Sequence, residues 1–349
     1  MADSTLNSPR DLSFGAMLRS LVDYARKNAL QAVLFVALVA VFVYFYGYVP
    51  LWNGGTHSTS AWAWSAWNPE GNQEHGRLVV PAVLFLVWYH RRELAEAPKQ
   101  GSNWGLLFVA VGVLMFIGAA RTVQARMAIV ALPFLVFGAA YYLWGRRVAR
   151  ILLFPCALLI FAVPFGALEQ ATFQLQFIIT GIVGALSHLF GIKIQAVGTT
   201  LSAAADAATG VNPWNFDIAE GCSGIRSLMA MTMITALYVH LTQDKLWKKV
   251  VIFCASAIFA IIGNAGRIFT IVLVAKYWDP KIASGMYHDY SGFIFFPIAL
   301  AAMLAFGALI NWKTGARSVV MKIDRAAHAG SLAESHATSG TRRVKTDDR

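Results

Sequence analysis

Three short polar stretches interrupt an otherwise apolar chain, and each contains a side chain suited to catalysis. They are centred on Cys222, Arg267 and His288. A cysteine thiolate is a nucleophile, an imidazole takes up and returns protons near neutral pH, and a guanidinium stabilises developing negative charge. Together these three side chains are sufficient for acyl transfer at a peptide carbonyl, without a metal ion or cofactor.

Cys222 lies in the most unusual local sequence of the chain, residues 219–227, where Gly221 and Gly224 allow sharp backbone turns. An apolar helix is predicted to begin just after it, so free backbone N–H groups and the helix dipole would favour thiolate or hold an oxyanion. Arg226 adds positive charge one turn along. Glu220 and Arg226 are therefore candidate supporting residues. The alternative is a small polar turn with a buried, inert cysteine.

Arg267 is predicted to lie within a membrane-spanning helix. Counting about 1.5 Å per residue from Lys249 puts it about 27 Å into a hydrocarbon core about 30 Å thick, near the outer boundary. Asn264, a further candidate supporting residue, precedes it by three residues and shares its helix face. An ionisable residue inside a span usually faces an interior site. The alternatives are an arginine that reaches lipid phosphate, and glycines (Gly263, Gly266) that only permit close helix packing.

His288 precedes the last apolar run and also falls at its outer end. Asp289 is adjacent, although neighbouring side chains need not point the same way. Considered alone, this histidine fits a loop or interface residue better than a base. Its significance comes from the topology, because short connections bring Cys222, Arg267 and His288 to the same edge of three successive spans.

The composition fixes the class of protein that positions these residues. The chain has 349 residues, of which 57% are hydrophobic and only 13% charged, against about a quarter charged in soluble domains. This balance excludes a soluble enzyme, a disordered chain and a coiled coil. It predicts an all-α polytopic membrane protein.

The apolar runs predict about eight transmembrane helices, one interfacial or re-entrant helix at 173–190, and a small outer-face hairpin within 193–213. Tryptophans of the outer segment 51–76 are predicted to form an aromatic belt. Cys156 and Cys254 lie inside apolar runs and are expected to be inert core residues. The eight runs lie near 29–50, 77–90, 104–120, 127–144, 151–167, 225–242, 249–275 and 291–311.

Charge predicts the orientation. With eight spans and the N-terminus inside, one side of the membrane carries 21 of the 29 Lys and Arg residues, as the positive-inside rule requires. The net charge of +11 is accounted for in this way, so no nucleic-acid partner is expected. We predict a cytoplasmic lead (1–28), a single transmembrane catalytic domain (29–311) and a basic, disordered cytoplasmic tail (312–349).

At the polar stretches the chain resembles the exosortase/archaeosortase family of multi-pass membrane cysteine transpeptidases. The resemblance covers roughly residues 75 to 311 and includes a His-Gly element at His75, which makes His75 a further candidate supporting residue. The matching segments are GCSGIRS (221–227), NAGRI (264–268), HDYSG (288–292), HGRLVVP with Trp88 (75–81), and RILLFP followed by Val-Pro (150–155, 163–164).

The resemblance implies a cysteine peptidase or transpeptidase of the cytoplasmic (inner) membrane that cleaves C-terminal sorting signals of the PEP-CTERM type. Its partners would be the lipid bilayer and membrane-anchored proteins ending in a short motif, a transmembrane helix and a basic end. Cys222 would form a thioester, His288 would act as base and then acid, and Arg267 would stabilise the oxyanion. The site would face the periplasm or exterior, with both termini cytoplasmic.

Three other functions remain open from the residues. A transporter would use Arg267, Asn264 and the glycines to line a pathway, a membrane acyltransferase would form its thioester on Cys222, and a membrane assembly factor would need no catalytic residue. The sorting motif, the acceptor that resolves the thioester and the oligomeric state also stay open.

Overall fold

The computed structural model describes residues 22–23, 25–68, 73–164, 167–203, 214–217 and 224–312. These residues belong to two compact units, Met1–Phe165 and Gly166–Arg349. The prediction of one transmembrane domain over 29–311 stays a prediction, as does that of a disordered cytoplasmic tail, since 313–349 lie outside the described residues.

The first unit is built from helices. Its first helix, α1, continues as a π-helical turn (Val43–Tyr48), and α7 continues as a 3-10 turn (Leu159–Ala162). The described helices are α1 (Ala29–Phe42), α2 (Thr59–Ala66), α3 (Gly76–Tyr89), α4 (Arg91–Glu96), α5 (Trp104–Thr122), α6 (Ala125–Trp144) and α7 (Arg146–Leu158).

The second unit combines long helices with one small sheet. A one-turn helix (Pro280–Ile282) and a π-helical turn (Ala283–Tyr287) precede the last helix. The elements are α8 (Ala167–Leu189), β1 (Gln195–Val197), β2 (Thr200–Ala203), β3 (Trp214–Asp217), α9 (Ile225–Thr242), α10 (Leu246–Tyr277) and α11 (His288–Trp312).

Among the described residues, six helical segments are long and apolar enough to cross a membrane. The one at Ala29–Tyr48 has a mean hydropathy of 2.3 with only 6% of its window buried. Apolar side chains left exposed in this way fit a lipid surround, because soluble monomers rarely show large contiguous apolar patches. The prediction of an all-α polytopic membrane protein is confirmed. The six are Ala29–Tyr48, Trp104–Thr122, Ala125–Trp144, Ile225–Thr242, Leu246–Tyr277 and Pro280–Trp312.

The count of eight spans stays a prediction, because two of the predicted runs form shorter helices. The run at 77–90 is α3, whose 14 residues cover about 21 Å of a core about 30 Å thick. The run at 151–167 is split: α7 starts earlier, at Arg146, and ends at Leu158. Val163 then takes an extended conformation, as the residue before a proline usually does.

In the first unit, α5 and α6 pack together through glycines. A Cβ at Gly138 would lie 2.6 Å from the backbone nitrogen of Val109, so the two backbones touch directly. The predicted tryptophan belt is wrong for Trp52, which is buried, and stays a prediction for the other tryptophans of 51–76. Trp64 is exposed, but Trp52 is 1% exposed and donates to Thr59, and Trp67 donates from Nε1 to the Ala162 carbonyl.

In the second unit, a three-stranded antiparallel sheet packs on the helices. Strands β1 and β2 form the predicted hairpin, with Gly198 (φ 65°) at its turn, and β3 adds a third strand that the sequence did not predict. Leu201 and Trp214 from the sheet join a buried cluster with Ala265 and Ile268 of α10. The sheet therefore lies against the part of α10 that contains Arg267. On which side of the membrane it lies stays a prediction, as does the interfacial or re-entrant placement of α8.

The two cysteines of the apolar runs differ in environment. Cys156 is buried, as expected, but Cys254 of α10 is exposed, so the expectation of a core position for Cys254 was wrong. In a membrane span an apolar sequence does not imply burial within the protein, because the lipid-facing surface is as apolar as the interior.

Candidate active site

Arg267 and His288 are in contact. The guanidinium of Arg267 donates from Nη2 to the backbone carbonyl of His288 at 2.8 Å, and from Nε to the Ser291 Oγ at 2.9 Å. Arg267 lies in α10, which continues as one helix through the glycine-containing segment around it, and His288 begins α11. Two of the three predicted catalytic residues are therefore brought together by neighbouring helices.

The start of α11 is shaped by a local departure from α-helical geometry. The π-helical turn Ala283–Tyr287 contains Gly285 with φ −101° and ψ −111°, so the chain kinks just before His288. The His288 imidazole is about one-third exposed, and its Nδ1 lies 3.2 Å from the Asp289 carboxylate. With Nδ1 as the donor to this carboxylate, Nε2 would be the nitrogen that accepts a proton.

Asn264 lies against Gly224 of the cysteine motif. Gly224, the N-cap of α9, has φ 78°, and a Cβ at this position would lie 2.6 Å from the Asn264 Nδ2. Asn264 is 4% exposed. The prediction that Asn264 and Arg267 share one helix face is confirmed, since both line one small pocket.

This pocket lies between α9, α10 and α11. Ser227, Asn264, Arg267 and Gly292 line it together with a set of apolar residues: Met231, Ala260, Gly263, Phe295, Phe296 and Ala299. The polar side chains come from the start of α9 (Ser227) and from α10 (Asn264 and Arg267), and α11 contributes Gly292 and apolar residues. The arrangement puts one fixed cation and one amide at a pocket with apolar walls, where electrostatic interactions are stronger than in water.

Cys222 and Glu220 lie outside the described residues, so the meeting of the cysteine with Arg267 and His288 stays a prediction. Arg226 lies in the first turn of α9 and is exposed. Within the part of the chain that the structure describes, no group of three or more His, Cys, Asp or Glu residues is placed to hold a metal ion.

His75 belongs to the first unit, at the N-terminus of α3. It is 7% exposed, and burial lowers the pKa of its imidazole below the ordinary value of 6.5; the Glu74 carboxylate and a hydrogen bond to the Phe161 backbone oppose this effect. Gly76 lets the Trp67 ring lie directly against the backbone here, where a Cβ would collide with it. Burial in this local cluster thus favours the neutral form of the His75 imidazole.

Three contacts of the site were not predicted from the sequence. Ser291 accepts from Arg267, Asp289 meets the His288 ring, and Gly224 makes room for Asn264. Helical spacing could have indicated that Ser291 lies near His288, because it follows His288 by three residues and so lies on the same helix face. The acceptor for Arg267 Nε could not be deduced, since it depends on how α10 and α11 pack.

The comparisons with known proteins give one match. A family model described as Transmembrane exosortase (Exosortase_EpsH) matches residues 64–305, well over half of the chain. No curated protein and no solved structure matches the chain. The matched range contains Arg267, His288 and the segment around Cys222.

Proposed function

Since the chain belongs to the transmembrane exosortase family, we propose that it is a membrane-embedded cysteine peptidase or transpeptidase acting on exported proteins. Its substrates would carry a C-terminal sorting signal of the PEP-CTERM type, consisting of a short motif, a transmembrane helix and a basic end. A substrate held by its own membrane helix reaches a boundary site at fixed depth and high effective concentration.

In the proposed reaction, the Cys222 thiolate attacks the scissile carbonyl after its proton has passed to His288. The C–N bond of the resulting tetrahedral intermediate breaks, and the His288 imidazolium returns the proton to the leaving amine. A thioester remains on Cys222, and water or an amine acceptor then resolves it. Arg267 stabilises the oxyanion in both half-reactions.

The observation that carries this proposal is the contact between Arg267 and the His288 backbone carbonyl at 2.8 Å. The contact joins residues 21 positions apart, through the Arg267 side chain and the His288 backbone, and Arg267 also lines the pocket. Gly224, which lies against Asn264 at the same pocket, follows Cys222 by only two residues. The approach of Cys222 to Arg267 and His288 is itself part of the proposal.

The membrane orientation is part of the proposal. We place the protein in the cytoplasmic membrane with both termini in the cytoplasm and the site facing the periplasm or exterior. The distribution of Lys and Arg supports this orientation. A basic C-terminal end on the substrate would follow the same rule and leave its cleavage motif on the outer side.

The test is co-reconstitution of the full chain with a membrane protein that carries such a signal. Wild type should convert the substrate, and the Cys222→Ala variant should not. Cys254→Ala is the matched control, because Cys254 is an exposed thiol on α10 and should be dispensable. Arg267→Ala and His288→Ala should each lower turnover by about 10²-fold or more, as loss of a catalytic donor or base does.

Mass spectrometry of the product separates the related chemistries. Hydroxylamine added during turnover should give a substrate hydroxamate at the cleavage site, which reports a thioester on the substrate peptide. An added acyl group would indicate an acyltransferase instead. Unchanged processing by Cys222→Ala would overturn the cysteine mechanism.

A further inference from the structure

Ser291 is a buried hydroxyl in the first turn of α11. The residue is 1% exposed, and a hydroxyl in such a position needs hydrogen-bond partners. It has two: Ser291 Oγ donates to the His288 carbonyl at 3.1 Å and accepts from Arg267 Nε at 2.9 Å. Ser291 therefore links the two residues to which the proposed function assigns catalytic roles.

The three hydrogen bonds join the Arg267 guanidinium, the Ser291 hydroxyl and the His288 carbonyl in a ring. Nε and Nη2 lie on one edge of the planar guanidinium, and this edge faces two acceptors, Ser291 Oγ and the His288 carbonyl. A single acceptor would let the group pivot about one bond, whereas two acceptors fix its plane. Of the five N–H groups of Arg267, three are not committed to this pair.

We infer that Ser291 is a positioning residue that fixes the Arg267 guanidinium, so that its uncommitted N–H groups serve the pocket shared with Asn264 and Ser227. The ligand of these groups would be the carbonyl oxygen of the scissile peptide as it becomes an oxyanion. This part of the inference rests on the proposed function. The anchoring of Arg267 by Ser291 does not rest on it.

The anchoring is tested first, by NMR of the full-length protein in lipid nanodiscs with ¹⁵N-labelled arginine. The Arg267 Nε–H resonance, assigned through Arg267→Lys, should exchange slowly with water in wild type. Ser291→Ala should accelerate this exchange about tenfold or more, the factor expected when a hydrogen bond to a charged group is lost. Ser291→Thr, which keeps the hydroxyl, should retain slow exchange.

Ser284→Ala is the matched control. Ser284 lies seven residues earlier, is exposed, and donates to the nearby backbone carbonyls of Pro280 and Lys281. Its substitution should leave the Arg267 resonance unchanged. Equal exchange rates in Ser291→Ala and wild type would overturn the anchoring, and so would an equal acceleration by Ser284→Ala.

Turnover is the second measurement. Ser291→Ala should lower kcat by about 10- to 100-fold with KM within about twofold, because the contact acts on the transition state. Ser291→Thr should recover kcat. A kcat at the wild-type level in Ser291→Ala would overturn the positioning role. Fast Arg267 exchange in Ser291→Ala, with no turnover by wild type, would support the anchoring and contradict the proposed reaction.

Discussion

Gly224 and Asn264 lie so close together that position 224 has no room for a side chain. A Cβ there would lie 2.6 Å from Asn264 Nδ2 and 2.8 Å from its Cγ. Because Gly224 is the N-cap of α9, this contact joins the start of α9 to the middle of α10. A glycine in a motif is usually assigned to backbone flexibility, but here close packing is an equal requirement.

Gly224→Ala is therefore expected to destabilise the protein by more than the strain of the backbone at position 224 alone. Gly191 is the matched control, because it also has a positive φ (72° against 78°), but a Cβ at Gly191 would have no neighbouring atom within 4 Å. Both substitutions incur the left-handed penalty of about 1–2 kcal/mol. Only Gly224→Ala also displaces Asn264, so it should lower the thermal midpoint further and reduce substrate cleavage about tenfold or more.

Thermal unfolding in nanodiscs and the cleavage assay would measure these effects. The steric argument also predicts that Asn264→Gly in the Gly224→Ala background regains part of the lost thermal stability. Equal losses in Gly224→Ala and Gly191→Ala would show that the contact with Asn264 is unimportant.

Arg267→Lys is expected to abolish most turnover although it keeps the charge. An ammonium group is a point charge and does not present the planar edge that contacts both Ser291 Oγ and the His288 carbonyl. We expect kcat to fall by about 10²-fold or more. Lys276→Arg, a charge-conserving change near the end of the same helix, should leave kcat unchanged. Full activity in Arg267→Lys would mean that a positive charge alone suffices.

The shared face of the polar residues could be predicted from the sequence, because helix geometry fixes it. Asn264 and Arg267 line one pocket, as their spacing of three residues requires. The third strand, β3, could not be predicted, since its four residues (Trp214–Asp217) have no pattern long enough to indicate a strand.

The sequence also could not predict which residues of the membrane helices are buried within the protein. Cys156 and Cys254 both lie in apolar runs, yet one is buried and the other exposed. Apolar periodicity separates core from surface only when the solvent is polar, and lipid removes that contrast. The partner of Arg267 Nε could not be predicted either, because Ser291 reaches it only through the packing of α10 on α11.

The two glycines beside Arg267 should respond differently to substitution. A Cβ at Gly263 would lie 2.7 Å from the Ala299 Cβ, whereas a Cβ at Gly266 would only meet the Phe295 ring at 3.5 Å. Gly263→Ala forces α10 and α11 apart and should cost about 1–3 kcal/mol, as overpacking does. Gly266→Ala should be neutral or slightly stabilising, because alanine favours helix. Reversible unfolding in mixed micelles would measure both, and equal effects would contradict this packing.

His75 should make the first unit less stable in acid. Burial lowers the pKa of its imidazole in the folded protein below 6.5, so the unfolded chain binds the proton more tightly. Stability should therefore be constant well above pH 6.5 and fall as the pH decreases from 6.5 through the lowered pKa. His75→Asn should flatten this dependence. Histidine NMR gives the direct check: an imidazole of His75 that titrates at or above 6.5 would contradict the effect of burial.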